Sequence, residues 1–286
     1  MNGKVDLHVH TNASDGKHSP AELTRLAISR GLSFLAITDH DTVAGVEGAR
    51  RVASECLSLS IISGVEISSH APGSEVHILG YFVDTTNAEF LQQMAALSEA
   101  RQNRAKAIIE KLNGLGLDIS IERVHQIAKG GSIGRPHIAQ VLLEKGYVAS
   151  FQEVFMRYLG QGCPAYVERV KISPEDAVEL VLRSGGLPVL AHPTTVAGIE
   201  SVVMRLVMCG LSGIECYYKD YSALQRQELV SIAKRFDLIP TGGSDYHGID
   251  MATEVMLGEA SVPIECVDNL VRLKKERDKQ RGYQGG

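Results

Sequence analysis

Short apolar runs alternate with amphipathic stretches along much of the chain, and each run stops at a polar or glycine-rich loop. Val5, Leu7 and Val9 alternate with Asp6, His8 and His10, the spacing of a strand whose two faces differ. Ser19-Pro20-Ala21-Glu22 reads as a helix start, with serine as cap, proline in the first turn and glutamate closing a capping box. Leu23, Leu26, Ala27 and Ile28 then make one apolar stripe, and Gly31 ends it. The same reading predicts a strand over 34–38, a helix over 43–56, and two further strands over 59–67 and 76–82. Strands and helices joined in turn by short links predict a parallel α/β sheet or barrel.

The alternation breaks after Asp84. Residues 87–112 are rich in Ala, Leu, Gln, Arg, Lys and Glu and predict one long helix, followed by shorter ones over 120–128, 136–144 and 151–158. No strong strand falls between 84 and 163. Residues 85–163 therefore read as an inserted small helical domain, flanked by the alternating segments 1–84 and 164–286. Alternation resumes at the helix start Ser173-Pro174-Glu175-Asp176. Strands follow over 187–191, stopping at His192-Pro193, over 212–217, containing Glu215, and over 238–241, which delivers Gly242-Gly243-Ser244-Asp245-Tyr246-His247-Gly248. A helix over 222–236 separates the last two. A short strand is expected near Ala260, a helix over 266–277 closes the chain, and the tail through Gly285-Gly286 is expected to fray. Seven strands precede the short one, which favours a barrel over an open sheet.

Composition narrows the function classes. With 286 residues, 44% hydrophobic and a formal net charge of -5, the chain suits a globular enzyme and lacks the basic field of a duplex-DNA binder. An enzyme acting on a nucleotide or a chain end stays open. Cys56, Cys163, Cys209, Cys216 and Cys266 form no C-x-x-C pair and read as buried thiols of a reducing compartment. The start of the chain has no signal-like pattern, and no apolar run is long enough to span a membrane, so a cytoplasmic location is expected.

Nine polar residues fall at the ends of the expected strands: His8, His10, Asp15, His40, Glu66, His77, His192, Asp245 and His247. In α/β barrels that rim is where active sites are built. A lone histidine at a strand end is more often structural than a ligand. Six of the ten histidines, interleaved with three carboxylates on one rim, reverse that balance and point to a metal site. Imidazole and carboxylate without cysteine suit manganese, iron or zinc, and the ligand types alone do not choose.

At these residues the chain resembles the PHP (polymerase and histidinol phosphatase) family of metal-dependent phosphoesterases. The four family motifs read here as Asp6-Leu7-His8-Val9-His10-Thr11, Thr38-Asp39-His40, the His192-Pro193 step, and Gly243-Ser244-Asp245-Tyr246-His247. The resemblance implies a distorted seven-stranded (β/α) barrel holding a divalent metal cluster of two to three ions, manganese first, with iron or zinc as alternatives. It assigns His8, His10, Glu66 and Asp245 to one ion. Glu66 would bridge to a second ion held with His77 and His192, and Asp15, His40 and His247 would hold a third. His192, Asp245 and His247 are the expected catalytic residues, with His192 or His247 protonating the leaving group where the ring is not fully engaged as a ligand, and metal-bound water as an equal candidate for that proton. Closely spaced divalent ions activate a water and neutralise charge on phosphoryl oxygens. Asp6 and Asp41 read either as carboxylates that orient ligand imidazoles or as turn and cap residues.

Within the family, Thr11-Asn12-Ala13-Ser14-Asp15-Gly16, Ile37-Thr38-Asp39-His40-Asp41-Thr42 and Gly134-Arg135-Pro136-His137 are similar to the bacterial TrpH-like branch, which includes nucleoside 3',5'-bisphosphate phosphatases and a 5'-to-3' exoribonuclease. The implied activity is hydrolysis of nucleotide phosphates, first of nucleoside 3',5'-bisphosphates to the 5'-monophosphate, with exonuclease action on short RNA beside it. Arg135 and His137 are expected to grip a second phosphate at a helix start. The competing reading makes Arg135 a surface residue and His137 a packing one. Tyr217 and Tyr218 read as rim or core tyrosines, and Arg101, Arg104 and Lys106 as a solvated helix face. His18, His70 and His125 read as surface or loop residues, and Ser14 and Ser244 lack a matched base. The rival functions are a histidinol-phosphate-type phosphatase, which needs no second phosphate site, and a non-catalytic metal-bound module.

Overall fold

Seven strands form one sheet in chain order: β1 Lys4–Val9, β2 Leu32–Ile37, β3 Ser60–Ala71, β4 Ser74–Tyr81, β5 Leu187–Leu190, β6 Gly213–Tyr218 and β7 Ile239–Gly243. The structure is a computed structural model that describes residues 3–71, 74–128, 131–168, 172–249 and 255–284. Its helices are α1 Pro20–Ser29, α2 Ala44–Ala53, α3 Ala88–Gly114, α4 Ile121–Ala128, α5 Arg135–Glu144, α6 Phe151–Val154, α7 Pro174–Arg183, α8 Ile199–Met208, α9 Ala223–Arg235 and α10 Glu265–Gln284. Their starts follow from local chemistry. Ser19 and Glu22 form the capping box of α1, Asn87 caps α3, Ser173 caps α7, and Ser222 with Gln225 boxes α9.

The sheet curls until its edges meet, giving a distorted α/β barrel. Val9 bridges Tyr246, and the His10 N–H donates to Tyr246 O at 2.9 Å. Asp6 fastens this seam. Its carboxylate accepts from Ser244 N at 2.9 Å, Ser244 Oγ at 2.6 Å and Gly258 N at 2.8 Å. Asp6 thus fits neither of its two readings: it lies within β1, and these bonds serve main-chain N–H groups and a hydroxyl, not an imidazole.

The structure departs from a wholly parallel barrel at β4, which runs antiparallel to both β3 and β5. Ala71 ends β3 and Ser74 begins β4, so two residues link them. A link that short makes a hairpin, because a parallel crossover needs a dozen residues or more. The reversal matters for the site: it brings the start of β4, with His77, to the rim where the parallel strands end. Simple alternation also fails in β1. Asp6 pairs with Leu35 and Val9 with Ile37, so β1 carries one extra residue through the histidine pair. Such bulges re-aim side chains beside active sites.

The short strand expected near Ala260 does not form. Ala260 and Val262 instead pack with Cys266, Val267 and Leu270 at the start of α10 against Val5, Leu7, Leu79, Tyr81, Leu187 and Val189 of the sheet. The last helix also runs beyond the expected 277 to Gln284, and Gly285-Gly286 lie outside the described residues. Phe90 and Met94, early in α3, join the larger cluster around the barrel helices. From Ala105 onward α3 belongs to a separate cluster with Val124, Ile138, Leu142, Val154 and Leu159. Within the described residues, no helix is long and apolar enough to cross a membrane.

Gly243 is where the seam is tightest. A Cβ there would collide with His8 N and Cβ. Gly243→Ala should therefore push β7 from β1 and lower stability by about 1–3 kcal/mol, the usual range for overpacking. Urea denaturation measures this, and an unchanged midpoint would contradict the close seam.

Candidate metal centre

Each of the seven strands sends a polar side chain to one end of the barrel. His8 lies on β1 with His10 just after it, His40 follows β2, Glu66 is on β3, His77 on β4, His192 follows β5, Glu215 is on β6, and Asp245 and His247 follow β7. Asp15 arrives on the loop after β1. Asp39 holds that loop in place, accepting from Thr11 N, Thr11 Oγ1 and Ser14 Oγ, each at 2.7 Å.

The nine residues singled out by sequence come together in three overlapping groups. His8, His10, Glu66 and Asp245 form one, His10, Asp15, His40 and His247 a second, and His40, Glu66 and His77 a third. His192 joins at Glu66, with Nε2 at 3.0 Å from Oε1. Glu66 is the hub: His77 Nδ1 lies 2.7 Å from Oε1, and His40 Nδ1, His8 Nε2 and His10 Nε2 lie 3.1, 3.3 and 3.3 Å from Oε2. Asp245 Oδ1 is 3.0 Å from His10 Nε2 and 3.5 Å from His8 Nε2.

These separations fit donors that share a cation. Two atoms each about 2.1 Å from one ion lie about 3.0–3.4 Å apart in octahedral or tetrahedral geometry. Six buried atoms here, His8 Nε2, both His10 nitrogens, Asp15 Oδ1, Glu66 Oε2 and His77 Nε2, have no hydrogen-bond partner. Orphaned polar atoms are rare in protein interiors, and a bound ion is one of the accepted explanations. The donor set and its orphans therefore fit divalent metal.

Electrostatics agree. Burial pushes Glu66 up, but His40, His77 and His8 outweigh it and hold the carboxyl well below its usual range. Burial likewise opposes ionisation of Asp15, and His40 and His247 override it. His10 is pulled down by burial and raised more strongly by the adjacent Asp245 and Glu66 carboxylates, to about 10. His40 goes the other way, its burial holding the ring well below the usual value. Backbone strain gathers at the same place. Six described non-glycine residues have positive φ, and Asp41, His192 and Asp245 are three of them. Such conformations cost about 1–3 kcal/mol and persist where surrounding contacts impose them.

The mouth of the centre opens into a cavity of about 150 Å³ lined by Asp15, His40, His77 and His247 on the barrel side and by Arg101, Arg104 and Arg135 on the helical side. Arg101 and Arg104 are thus buried, not a solvated face. The reason is the length of α3, which lays one side of its middle turns across the barrel mouth; Lys106, on the opposite side, is exposed. Arg101 Nε donates to Asp41 Oδ2 at 3.1 Å, and Arg101 Nη2 donates to Ser68 Oγ at 3.2 Å. Asp41 Oδ1 accepts from Ser68 N at 2.9 Å. Arg135 donates to Glu75 Oε2 at 2.8 Å and lies 5.6 Å from the Phe155 ring centre. His137 is engaged elsewhere: Gly134 N donates to its Nδ1 at 3.0 Å, and the ring lines a neighbouring cavity with Lys17, Arg123 and Phe151. His70 is on β3 and lines a further cavity of about 350 Å³ with Arg135 and His192. The hydroxyls of Ser14 and Ser244 donate to buried Asp39 and Asp6.

Two contacts escaped the sequence reading. Glu215 Oε1 lies 3.0 Å from His8 Nδ1, and Tyr218 donates to Asp245 Oδ2 at 2.7 Å. A carboxylate inside the apolar run of β6 was the available signal for the first, since buried charge demands a partner.

With His10 raised to about 10, a metal ion would have to displace a proton from its ring at neutral pH. Affinity should rise about tenfold per pH unit for each proton displaced, from acid through neutral pH. Calorimetric titration in two buffers of different ionisation enthalpy should show proton release, and a pH-independent affinity would contradict this electrostatic picture.

Comparison with known proteins agrees with the geometry. Residues 6–178 match the PHP domain. The chain is 33% identical over 272 residues to a 5'-3' exoribonuclease of Haemophilus influenzae, covering 92% of this chain and 98% of that one. It is 32% identical over 249 residues to a phosphoribosyl 1,2-cyclic phosphate 1,2-diphosphodiesterase of Eggerthella lenta, with 85% and 94% covered. It is 30% identical over 248 residues to a 3',5'-nucleoside bisphosphate phosphatase of Chromobacterium violaceum, with 85% and 87% covered. A solved Bifidobacterium adolescentis structure described as a metal-dependent phosphoesterase superposes with a TM-score of 0.86 at 29% identity, over 95% of this chain and 96% of that one. With its rim of imidazoles and carboxylates and these relatives, the chain belongs to the PHP family of metal-dependent phosphoesterases.

Proposed function

We propose that the chain removes a phosphate from nucleotides that carry two, nucleoside 3',5'-bisphosphates first, and that short RNA 5' ends are a second substrate class. The observation that carries the reading is the arginine-lined cavity beside the metal centre. Arg104 Nη2 is buried without a hydrogen-bond partner and is 3.6 Å from Glu75 Oε1, while Arg104 Nε donates to Val167 O at 2.8 Å. Burial and the neighbouring Arg135 both weaken its hold on the proton, so an anion in this cavity would relieve it. A guanidinium fork suits a phosphate. Histidinol phosphate, with one phosphate and no base, has no use for such a seat.

His8, His10, Glu66 and Asp245 would hold one ion, Glu66, His77 and His192 another, and Asp15, His40 and His247 a third, with His10 also within reach of the last. We assign manganese first, with iron or zinc as alternatives, from the nitrogen and oxygen donors. Bound ions supply an activated water and neutralise phosphoryl charge. The chain's own residues do the rest. Arg101, Arg104 and Arg135 hold the phosphate that is not cleaved, and this fixes the other one over the cage. His192 and His247 stand at the open mouth, with side chains 15% and 19% exposed, and are the candidates to deliver a proton to the leaving oxygen. The Nδ1–H of His247 donates to Asp245 O at 2.9 Å, which turns Nε2 toward Asp15. His137, tied to its helix start, faces the neighbouring cavity and takes no part in this seat.

Adenosine 3',5'-bisphosphate should be turned over faster than histidinol phosphate, with a 5'-monophosphorylated oligoribonucleotide as the third arm of the panel. Arg135→Ala should raise KM for the bisphosphate by about tenfold to a hundredfold, as expected for one lost charge-assisted contact, and affect an aryl monophosphate little. Equal effects on both would remove the second-phosphate seat. Asp245→Ala should lose bound metal and turnover together, and retention of both would refute the ligand assignment.

A further inference from the structure

Glu215, on β6, is fully buried and touches ligands of two different groups in the centre. Its Oε1 lies 3.0 Å from His8 Nδ1, and its Oε2 accepts from the backbone N–H of His192 at 2.7 Å. A carboxylate has no proton to give, so His8 must be the donor and its Nδ1 keeps the hydrogen. The free lone pair is then on Nε2, the atom that faces Glu66 Oε2 at 3.3 Å and Asp245 Oδ1 at 3.5 Å. The second contact acts on the main chain. His192 has φ 26 and ψ 57, a left-handed conformation that side chains other than glycine rarely adopt. The Oε2 bond pins that conformation and so the direction of the His192 ring, whose Nε2 meets Glu66 Oε1. Directly after Glu215, β6 carries one extra residue against β7, pairing Glu215 with Thr241 and Tyr217 with Gly242. Bulges of this kind set side-chain direction beside functional sites.

We infer that Glu215 is the positioning residue of the metal centre: one carboxylate fixes the tautomer of His8 and the backbone of His192, and so couples two ion positions through β6. Metal-bound histidines typically donate their other ring N–H to such a partner, and its loss costs about 10–100-fold in metal affinity. Here the same group also carries a second ligand, so its loss reaches both positions and spares Asp15, His40 and His247.

The inference rests on the ligand assignment above, and the test separates the two. Glu215→Gln keeps the volume and one acceptor, but it cannot accept both bonds. Its NH2 must face either His8 Nδ1, which moves the ring proton into the cage, or the His192 N–H. Mn(II) titration followed by electron paramagnetic resonance, with metal analysis of the gel-filtered protein, should show about 10–100-fold weaker binding and fewer ions per chain. In EDTA the variant should still fold, with a melting temperature only a few degrees lower, the cost of one unsatisfied buried donor. Wild-type affinity and stoichiometry in Glu215→Gln would overturn the inference, as a space-filling role requires. If Glu215→Gln does not fold in EDTA, Glu215→Asp, which keeps the charge but stops one methylene short, takes its place with the same two outcomes. His8→Ala runs in parallel. Full Mn(II) affinity in His8→Ala would overturn the ligand assignment itself, whereas loss there beside wild-type binding in Glu215→Gln would overturn only the role of Glu215.

Discussion

One carboxylate, Glu66, is 1% exposed and lies within 3.3 Å of five imidazoles. A buried carboxylate is tolerable only where positive charge and donors surround it. Five rings around one acceptor pair supply them, and the rest of the structure exists to bring those rings to one point. Asp6 closes the seam that puts β1 against β7. Two-residue spacing sends His8 and His10 together toward the hub, and the register shift before Val9 lies beside them. The hairpin reversal at β4 turns His77 inward, and the left-handed backbone at His192 and Asp245 bends the chain over the rim. Each of these is locally unfavourable or topologically unusual. Together they gather nitrogen and oxygen donors of the kind a divalent cation takes.

The helical segment answers the acidic cage with arginines. Arg101 lies 3.9 Å from Asp15, and Arg104 and Arg135 lie 3.6 and 2.8 Å from Glu75, so the guanidinium groups meet the acidic rim directly across the mouth. The helices that carry these arginines thus lie over the end of the barrel where the imidazoles and carboxylates gather.

Much of this was legible in the sequence because its signals were local. Period-two apolar spacing, the Ser19 and Ser173 helix starts, and histidines and carboxylates at strand ends marked the strands, two helix starts and the nine side chains that gather at one end of the barrel. What was hidden depends on contacts far apart in the chain. The direction of β4 turns on a two-residue link, and alternation alone carries no strand direction. Asp6 was read as a possible orienter of imidazole, but its partners Ser244 and Gly258 lie across the seam. Arg101 and Arg104 look like solvated helix residues until α3 is laid over the barrel, and Glu215 looks like one acid in an apolar strand until His8 stands beside it.

The most direct test is anomalous X-ray diffraction from crystals grown with Mn(II), collected on both sides of the manganese edge. The account expects anomalous peaks between His8, His10, Glu66 and Asp245 and between Asp15, His40 and His247, with Glu66 touching more than one. Anomalous density confined to positions away from Glu66 would contradict it.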